Sequence, residues 1–192
     1  MNNLNQILTT LGEQEIKMTE NKLLQLYSST GLTLESIEGI SFALVNADTA
    51  QKVINSIWCA DGLHWSNRVW RNKQALQQVI EKGLIDCVAR GVSKDEMVKT
   101  IMKNFGTGFA QADRIARTEL THVQNQAAKD TYEANGYTQY EFLAAMDERT
   151  SDICKELNGK IFNFTDAVVG ENFPPCHPNC RSTIVAVRKE KK

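Results

Sequence analysis

The protein has 192 residues, of which 42% are hydrophobic and 23% are charged, and its formal net charge is -1. These values are typical of globular proteins and exclude a wholly disordered protein, and the near-zero charge gives no reason to expect a large basic surface for nucleic acid. No apolar run approaches the roughly 18 residues of a membrane span, and the first residues lack a signal-peptide pattern, so we expect a cytosolic protein with no membrane partner.

The N-terminal half of the sequence is typical of helices. Residues 1–60 are predicted to form short helices with polar breaks, with Thr19 and Asp48 as candidate N-caps. Ser66 begins a predicted long helix at about 66–90, and Gly91 ends it.

A second helical pair follows. Ser93 and Glu96 have the spacing of a capping box and predict a helix to residue 105. The Gly-Thr-Gly sequence at 106–108 predicts a turn, and a second long helix is expected at about 109–135. This pair has the outline of a helix-turn-helix. Because the second helix carries balanced charges, we interpret it as a scaffold and not as a base-reading helix.

The hydrophobic period changes after Gly136. Residues 138–144 alternate as in a strand, and Thr150 or Ser151 is expected to cap a short helix. Two further strands are predicted at 160–164, after an Asn-Gly turn, and at 182–188. We therefore predict an α+β fold.

The predicted organisation has two parts. A mainly helical region spans 1–135, and a small α+β domain built on a short antiparallel sheet spans 136–192. All three prolines lie between residues 174 and 178, which predicts a loop of restricted shape.

The residues that suit a metal are concentrated near the C-terminus. They are Cys154, Cys176, His177 and Cys180. Cys154, His177 and Cys180 would supply three ligands of a metal, and the fourth would be Cys176, Ser151, Asp152 or water. Cysteine and histidine are the usual ligands of zinc, and His177 and Cys180 have His-x-x-Cys spacing. The sequence has no Cys-x-x-Cys pair, however. We therefore favour the alternative in which Cys154 and Cys180 are small buried side chains and His177 is hydrogen-bonded within the loop.

Two enzymatic or binding alternatives remain open at this stage. A metal-dependent or thiol hydrolase would use Cys154, His177 and Cys180, but no nucleophile elbow is recognisable. A nucleic-acid-binding module would use the helix pair and the basic tail.

Several charged residues are interpreted as structural. Arg117 or Arg149 is expected to clamp Asp147 through two hydrogen bonds, with Arg181 and Glu119 as further partners. These groups would pin the proline loop to the strand that ends near Asp147.

Two aromatic features are interpreted as structural as well. His122 is predicted to be either a surface residue or a hydrogen-bonded core residue. Trp58, Trp65 and Trp70 are predicted to lie in the core, although three Trp residues so close together also suit a protein contact.

Six motifs together resemble one known family. They are W-S-N-R-V-W (65–70), G-V-S-x-x-E (91–96), A-D-R-I-A-R-T-E (112–119), M-D-E-R-T-x-x-x-C (146–154), L-N-G-K (157–160) and P-P-x-H-P-x-C-R (174–181). In this order they resemble the minor head proteins of tailed phages, the Mu F-like head morphogenesis family. The resemblance covers roughly residues 50–188.

The resemblance implies a non-enzymatic minor capsid component. Such a protein binds the portal inside the procapsid, alongside other head or scaffold proteins, and assists head assembly and DNA packaging or ejection. It would contact DNA non-specifically, and would occupy the bacterial cytoplasm during assembly and then the virion interior.

The resemblance also implies which residues matter. The shared motifs contain Arg117, Glu119, Asp147, Arg149, Thr150, Pro175 and Arg181. Many members carry a cysteine at the position of Ser151, which would complete four metal-type ligands. Here zinc would depend on Cys176 as a substitute.

Overall fold

A computed structural model describes residues 2–41, 46–91 and 93–187. Within them the elements are, in order, α1 (Asn2–Glu38), α2 (Ala47–Ile54), α3 (Trp65–Arg90), α4 (Lys94–Ala134), β1 (Gln139–Leu143), α5 (Asp152–Leu157), β2 (Ile161–Asn163) and β3 (Thr183–Ala186), with a 3-10 turn at Phe164–Asp166. The fold is α+β, as predicted. The C-terminal end of the predicted strand at 182–188 lies outside the described residues.

The first helix is much longer than the sequence suggests. α1 is continuous, so the prediction of short helices with a cap at Thr19 is wrong. Gly12 does not break the helix. Instead it allows the Trp70 ring to approach, because a Cβ at this position would lie 2.5 Å from that ring. Tyr27 then ties α1 to α4, since its hydroxyl donates to Asp130 at 2.6 Å.

The predicted turn at 106–108 is also wrong. α4 runs through it as one 41-residue helix. Gly108 lies where α3 crosses closely, since a Cβ there would be 2.9 Å from Leu76. The expected pair of helices is therefore one helix, and the break that a helix-turn-helix needs is absent from it.

Helix ends follow local sequence signals with small shifts. Ser93 caps α4 and Gly91 ends α3 in a left-handed conformation, with φ of 62°, both as predicted. α3 begins at Trp65, one residue before the predicted start, with His64 as its cap, and Asn46 replaces Asp48 as the cap of α2.

The long helices share an apolar core. Leu23 and Tyr27 of α1 pack with Trp65 and Val69 of α3 and with Val123 of α4. At the other end of α1, Leu8 packs with Leu76 and Ile80. α3 therefore runs antiparallel to α1.

The sheet has three antiparallel strands in the order β2-β1-β3. Tyr140 of β1 lies opposite both Phe162 and Ala186. This agrees with the predicted short antiparallel sheet. Its buried face forms an aromatic cluster that includes Tyr140, Phe164 and Phe173.

α4 joins the helical part to the sheet. Ala128 and Tyr132 of α4 belong to the same aromatic cluster. Three side chains along one face of α4 also bind the segment before β3: the Asn179 N–H donates to Thr118, Thr121 donates to the Cys180 carbonyl, and Asn125 donates to the Ser182 carbonyl. The proposed boundary near residue 136 remains a prediction.

An apolar groove of about 580 Å³ lies between α1 and α4. Leu11 and Met18 line one side, and Phe105 and Phe109 line the other. Phe109 is 75% exposed and Met18 is 67% exposed. Exposed apolar side chains gathered in one groove are typical of a protein contact. None of the described helices combines the length and apolarity needed to span a membrane.

Candidate functional site

Three of the four predicted metal ligands lie together. The Cys154 sulfur is 3.3 Å from Nε2 of His177 and 3.7 Å from the Cys180 sulfur. Zn–S bonds of about 2.3 Å and Zn–N bonds of about 2.0 Å at a tetrahedral centre place two sulfurs about 3.8 Å apart, and sulfur and nitrogen about 3.5 Å apart. These two distances fit edges of a zinc tetrahedron, and all three donor atoms lie within 4.8 Å of one another.

A backbone hydrogen bond fixes the tautomer of His177. Its Nδ1 lies 2.9 Å from the Pro178 carbonyl oxygen, which can only accept. Nδ1 therefore carries the proton, and the Nε2 lone pair faces the two sulfurs. This is the usual outer hydrogen bond of a metal-binding histidine.

Cys176, one of the candidate fourth ligands, does not join the group. Its sulfur lies 3.8 Å from the Phe173 carbonyl oxygen, and burial raises its pKa to about 12. Ser151 borders the same small hollow as Cys154 and His177, and its hydroxyl caps α5. Three protein ligands with an oxygen in the fourth position would hold zinc, and the metal would tie α5 to the proline loop.

The same cluster does not resemble an activated thiol. Burial raises the pKa of Cys154 above the ordinary thiol value, whereas a cysteine nucleophile needs a lowered pKa. The raised pKa of Cys154 therefore disfavours the thiol hydrolase alternative, although His177 lies within hydrogen-bond distance of its sulfur.

A second predicted group, the Asp147 clamp, forms with Arg181, which the sequence analysis gave only as a further partner. Arg181, and not Arg117 or Arg149, holds Asp147 through two bonds of 2.6 Å. Arg149 lies 3.8 Å from Asp147, and Arg117 bonds to Asp113 on its own helix. The two side chains of the clamp are 41% and 39% exposed, so the clamp lies at the surface.

Thr150 and Pro175 shape the loops around the clamp. The Thr150 hydroxyl donates to the Ala145 carbonyl and accepts from the Asp147 N–H at 2.9 Å. Thr150 is therefore a loop residue, and Ser151 is the cap of α5. Pro175 is buried and follows a cis bond from Pro174.

Glu119 belongs to a separate buried network. It accepts from Arg68 at 2.7 Å and from the Trp58 indole at 3.1 Å. Burial raises its pKa, and the Arg68 charge and the indole hydrogen bond oppose that rise. The expectation that Glu119 supports the Asp147 clamp is wrong, because Glu119 faces the loop before α3.

His122 lies next to this network, against Trp58. Its ring stacks on Trp58 with the centroids 4.3 Å apart, and burial lowers its pKa to about 3. Neither ring nitrogen has a partner among the described residues. The histidine is therefore neither a surface residue nor a hydrogen-bonded core residue, which corrects the prediction.

Glu119 and its neighbours form part of the wall of a cleft of about 580 Å³. One wall is formed by α3, α4 and the segment 58–61. The opposite wall is formed by the C-terminal segments 169–170 and 175–178. The cleft thus lies where the helical part meets the proline loop.

Arg68 and Asn72 in this cleft were not predicted from the sequence. One signal for them was present: Trp65, Arg68 and Asn72 are spaced by three and four residues, which puts their side chains on one face of the helix. Nothing local indicated that Arg68 would pair with Glu119, because 51 positions separate the two residues.

Comparisons with known proteins agree with the motifs. The family model described as Phage Mu protein F like protein matches residues 78–185. An NAD(+)--arginine ADP-ribosyltransferase, EFV, of Enterococcus faecalis (strain ATCC 700802 / V583) is 28% identical over 142 residues. That similarity covers 71% of this chain but only 29% of the relative. No solved structure shows significant similarity to the protein.

The family match supports a role in phage head morphogenesis. It spans more than half of the sequence, from the middle of α3 to the last strand, and it includes every residue of the Asp147 clamp and the Cys154 cluster. The chain therefore belongs to the Phage Mu protein F like family.

Proposed function

We propose that this protein is a non-enzymatic minor head component of a tailed phage or prophage. It binds the portal inside the procapsid and assists head assembly and DNA packaging or ejection. The family match over residues 78–185 carries the proposal. The protein would assemble in the bacterial cytoplasm with other head or scaffold proteins and remain in the virion interior, with only non-specific contacts to DNA.

The apolar groove between α1 and α4 supports a protein partner. Its exposed side chains lie on the two helices that border the groove; they are Leu11 and Met18 of α1 and Phe105 and Phe109 of α4. An apolar helix face is the usual occupant of such a groove. We assign this groove to a helix of the portal.

The test is co-expression with the portal protein of the same phage or prophage, followed by purification of the complex. We expect the wild type to co-purify and Phe109→Asp to be lost. Val88→Asp is the matched control, because Val88 is 71% exposed and lies outside the groove. Circular dichroism checks that all three remain helical. A wild type that fails to bind any head component contradicts the proposed function.

The non-enzymatic part of the proposal has its own test. The purified protein is incubated with labelled NAD+ and an arginine-rich acceptor. We expect no transfer of ADP-ribose, because the similarity extends over only 29% of the transferase. Labelled acceptor above the background of a heat-denatured sample contradicts this expectation.

A further inference from the structure

The sulfurs of Cys154 and Cys180 lie 3.7 Å apart, although the two residues are separated by 26 positions in the sequence. Both side chains are buried in one cluster with Phe142. A disulfide has an S–S bond of about 2.04 Å, so the two sulfurs must approach each other by about 1.7 Å to form one. Side-chain rotation and small backbone shifts cover a distance of this size.

The other three cysteines have different neighbours. Cys59 bonds to an arginine of α3, and the Cys87 sulfur lies 4.0 Å from a threonine hydroxyl of α4. Cys176 packs against the pair, but its sulfur lies 3.8 Å from a backbone carbonyl oxygen. Among the described residues, Cys154 and Cys180 are therefore the two cysteines whose thiols hydrogen-bond to each other.

A small hollow brings solvent close to one of the two thiols. Cys154 and His177 line it, together with the exposed residues Arg149 and Asn179. Its volume of about 10 Å³ is close to the space that one water molecule needs. Hydrogen peroxide is only slightly larger than water. Cys180 is not part of this wall, so Cys154 is the thiol that a small oxidant meets first.

We propose that Cys154 and Cys180 form a reversible disulfide when the protein meets hydrogen peroxide. The Cys154 sulfur attacks one peroxide oxygen, the O–O bond breaks, and the thiol proton leaves with the departing hydroxide as water. Cys154 is then a sulfenic acid. The Cys180 sulfur attacks the Cys154 sulfur, the S–O bond breaks, and the second thiol proton leaves in another water. The two thiols are oxidised by two electrons and the peroxide is reduced.

The reaction is slow, because neither thiol is activated. Burial raises the pKa of Cys154, so little of it is present as the reactive thiolate at neutral pH. We expect the bond to form over minutes to hours in millimolar peroxide, as is usual for a disulfide that no enzyme assists. The pair is thus a structural redox site and not a peroxidase.

The disulfide would connect α5 to the segment before β3. A cross-link between residues 26 positions apart restricts the unfolded chain and so stabilises the folded one. Cys154 and Cys180 are also two of the three candidate zinc donors, so the oxidised protein has no thiolates to offer to the metal. Zinc and the disulfide are therefore alternative ways of holding α5 to the proline loop. This inference does not rest on the proposed head function.

The experiment treats the reduced, metal-free protein with hydrogen peroxide, then denatures it and alkylates its free thiols. We expect an intact mass lower by two hydrogen atoms, three of the five cysteines alkylated, and a monomer on non-reducing electrophoresis. The tryptic peptide 150–155 should be linked to 161–181, and fragmentation should place the link at Cys180. Dithiothreitol should restore all five free thiols.

Two variants assign the roles of the cysteines. Cys176→Ser is the matched control, because Cys176 packs against the same pair, and it should form the bridge at the wild-type rate. Cys180→Ser should form no bridge and should accumulate a sulfenic acid on Cys154, which dimedone labels. Circular dichroism checks that both variants remain folded. If Cys180→Ser does not fold, peptide mapping of the wild type and of Cys176→Ser still decides the question.

The stability of the oxidised protein gives an independent readout. We expect the Tm of the wild type to rise by several degrees on oxidation and to return on reduction, because the bond joins two segments that already touch. A lower Tm after oxidation would show that the bond distorts the fold and would overturn the proposal. So would a bridge from Cys154 to Cys176, or a wild type in which Cys154 proceeds to sulfinic acid while Cys180 stays reduced.

Discussion

At the scale of single residues, His122 is the clearest case of a side chain whose charge is governed by burial. It is stacked on Trp58 and unpartnered at both ring nitrogens among the described residues, and its pKa is lowered to about 3 from an ordinary 6.5. As the pH falls below 6.5, the unfolded state therefore takes up the proton first. Stability is lost progressively until the pH reaches about 3.

We predict that this residue makes the protein acid-sensitive. Between pH 7 and pH 5, His122 should remove about 2 kcal/mol from the free energy of unfolding. His122→Phe preserves the stack on Trp58 and should lose that part of the pH dependence. Urea unfolding of both proteins at the two pH values measures the difference. Identical pH dependence in the two proteins contradicts the burial of this imidazole.

The Asp147 clamp also loses its contribution to stability as the pH falls, but over a lower pH range than His122. Hydrogen bonds from Arg181 and from the Arg149 backbone lower the pKa of Asp147 below its usual 3.8. The clamp therefore contributes to stability above that pH, and its contribution is lost as the pH falls further. Because both side chains are exposed, the contribution is small.

We accordingly predict that Asp147→Asn has a modestly lower Tm than the wild type at pH 7. This difference in Tm should narrow as the pH falls below about 3.8. Glu148→Gln is the control, because Glu148 is exposed and makes no ion pair with any described residue. A large loss of stability at pH 7 would mean that the clamp is buried in a larger assembly. An unchanged Tm would mean that the clamp adds nothing to folding.

Ser151 determines how well the Cys154 cluster holds zinc. Three donors are in place, and the fourth neighbour is a hydroxyl. We predict that the native protein binds zinc weakly. Ser151→Cys creates Cys-x-x-Cys spacing with Cys154 and should raise zinc affinity by at least about tenfold, with a zinc-dependent rise in Tm.

Competition with a chromogenic chelator measures this affinity. Ser29→Cys adds an exposed thiol far along α1 and controls for non-specific binding. Equal affinity of the two variants contradicts the proposed fourth position. Tight stoichiometric zinc in the wild type contradicts the prediction of weak native binding.

At the scale of the elements, the glycines of α1 and α4 have different roles. No atom lies within 4 Å of a Cβ placed on Gly106, whereas one on Gly12 would meet the Trp70 ring at 2.5 Å. Both residues lie inside helices, where glycine costs about 1 kcal/mol relative to alanine. Of these two, Gly12 alone has a packing reason to remain glycine.

We predict that Gly106→Ala raises the free energy of unfolding by about 0.5–1 kcal/mol, because α4 is continuous there. Gly12→Ala should lower it by about 1–3 kcal/mol, because a rigid ring must move. Thermal and urea unfolding measure both changes. If Gly106→Ala destabilises the protein, residues 106–108 form a turn after all.

At the scale of the whole molecule, α4 holds the helical part and the sheet together. It supplies Ala128 and Tyr132 to the aromatic cluster, and Thr121 and Asn125 bind the segment before β3. A cut near Gly136 therefore breaks the backbone without removing these contacts. The two-part organisation predicted from sequence concerns the order of elements and does not require two separate cores.

We predict that limited proteolysis cuts near Gly136 and gives a C-terminal fragment that stays bound to the helical part. Size-exclusion chromatography after cleavage should show one species, and denaturing electrophoresis two. Asn125→Ala should promote release of the fragment, while Gln124→Ala, which changes an exposed neighbour, should not. Spontaneous separation of the wild-type fragments would show that the two parts fold independently.

The sequence by itself determined several helix ends, the first strand and the family. Ser93, Gly91 and Ser151 mark helix ends, and the alternating pattern marks β1, because caps and strand periodicity depend on neighbouring residues. The order of the motifs indicated the Mu F-like family, since that order is a property of the sequence alone. Cys154, His177 and Cys180 were found because their residue types are distinctive.

Only the tertiary structure decided what each ambiguous residue contacts. A glycine is compatible with a turn or with a close helix crossing, and Leu76 of α3 settled the choice for Gly108. Three arginines were available for Asp147, and the path of the proline loop selected Arg181. His122 has the same local sequence whether exposed or buried. Its low pKa follows from burial and from the nearby Arg68 charge, which arise only when α4 packs against α3 and the loop before it.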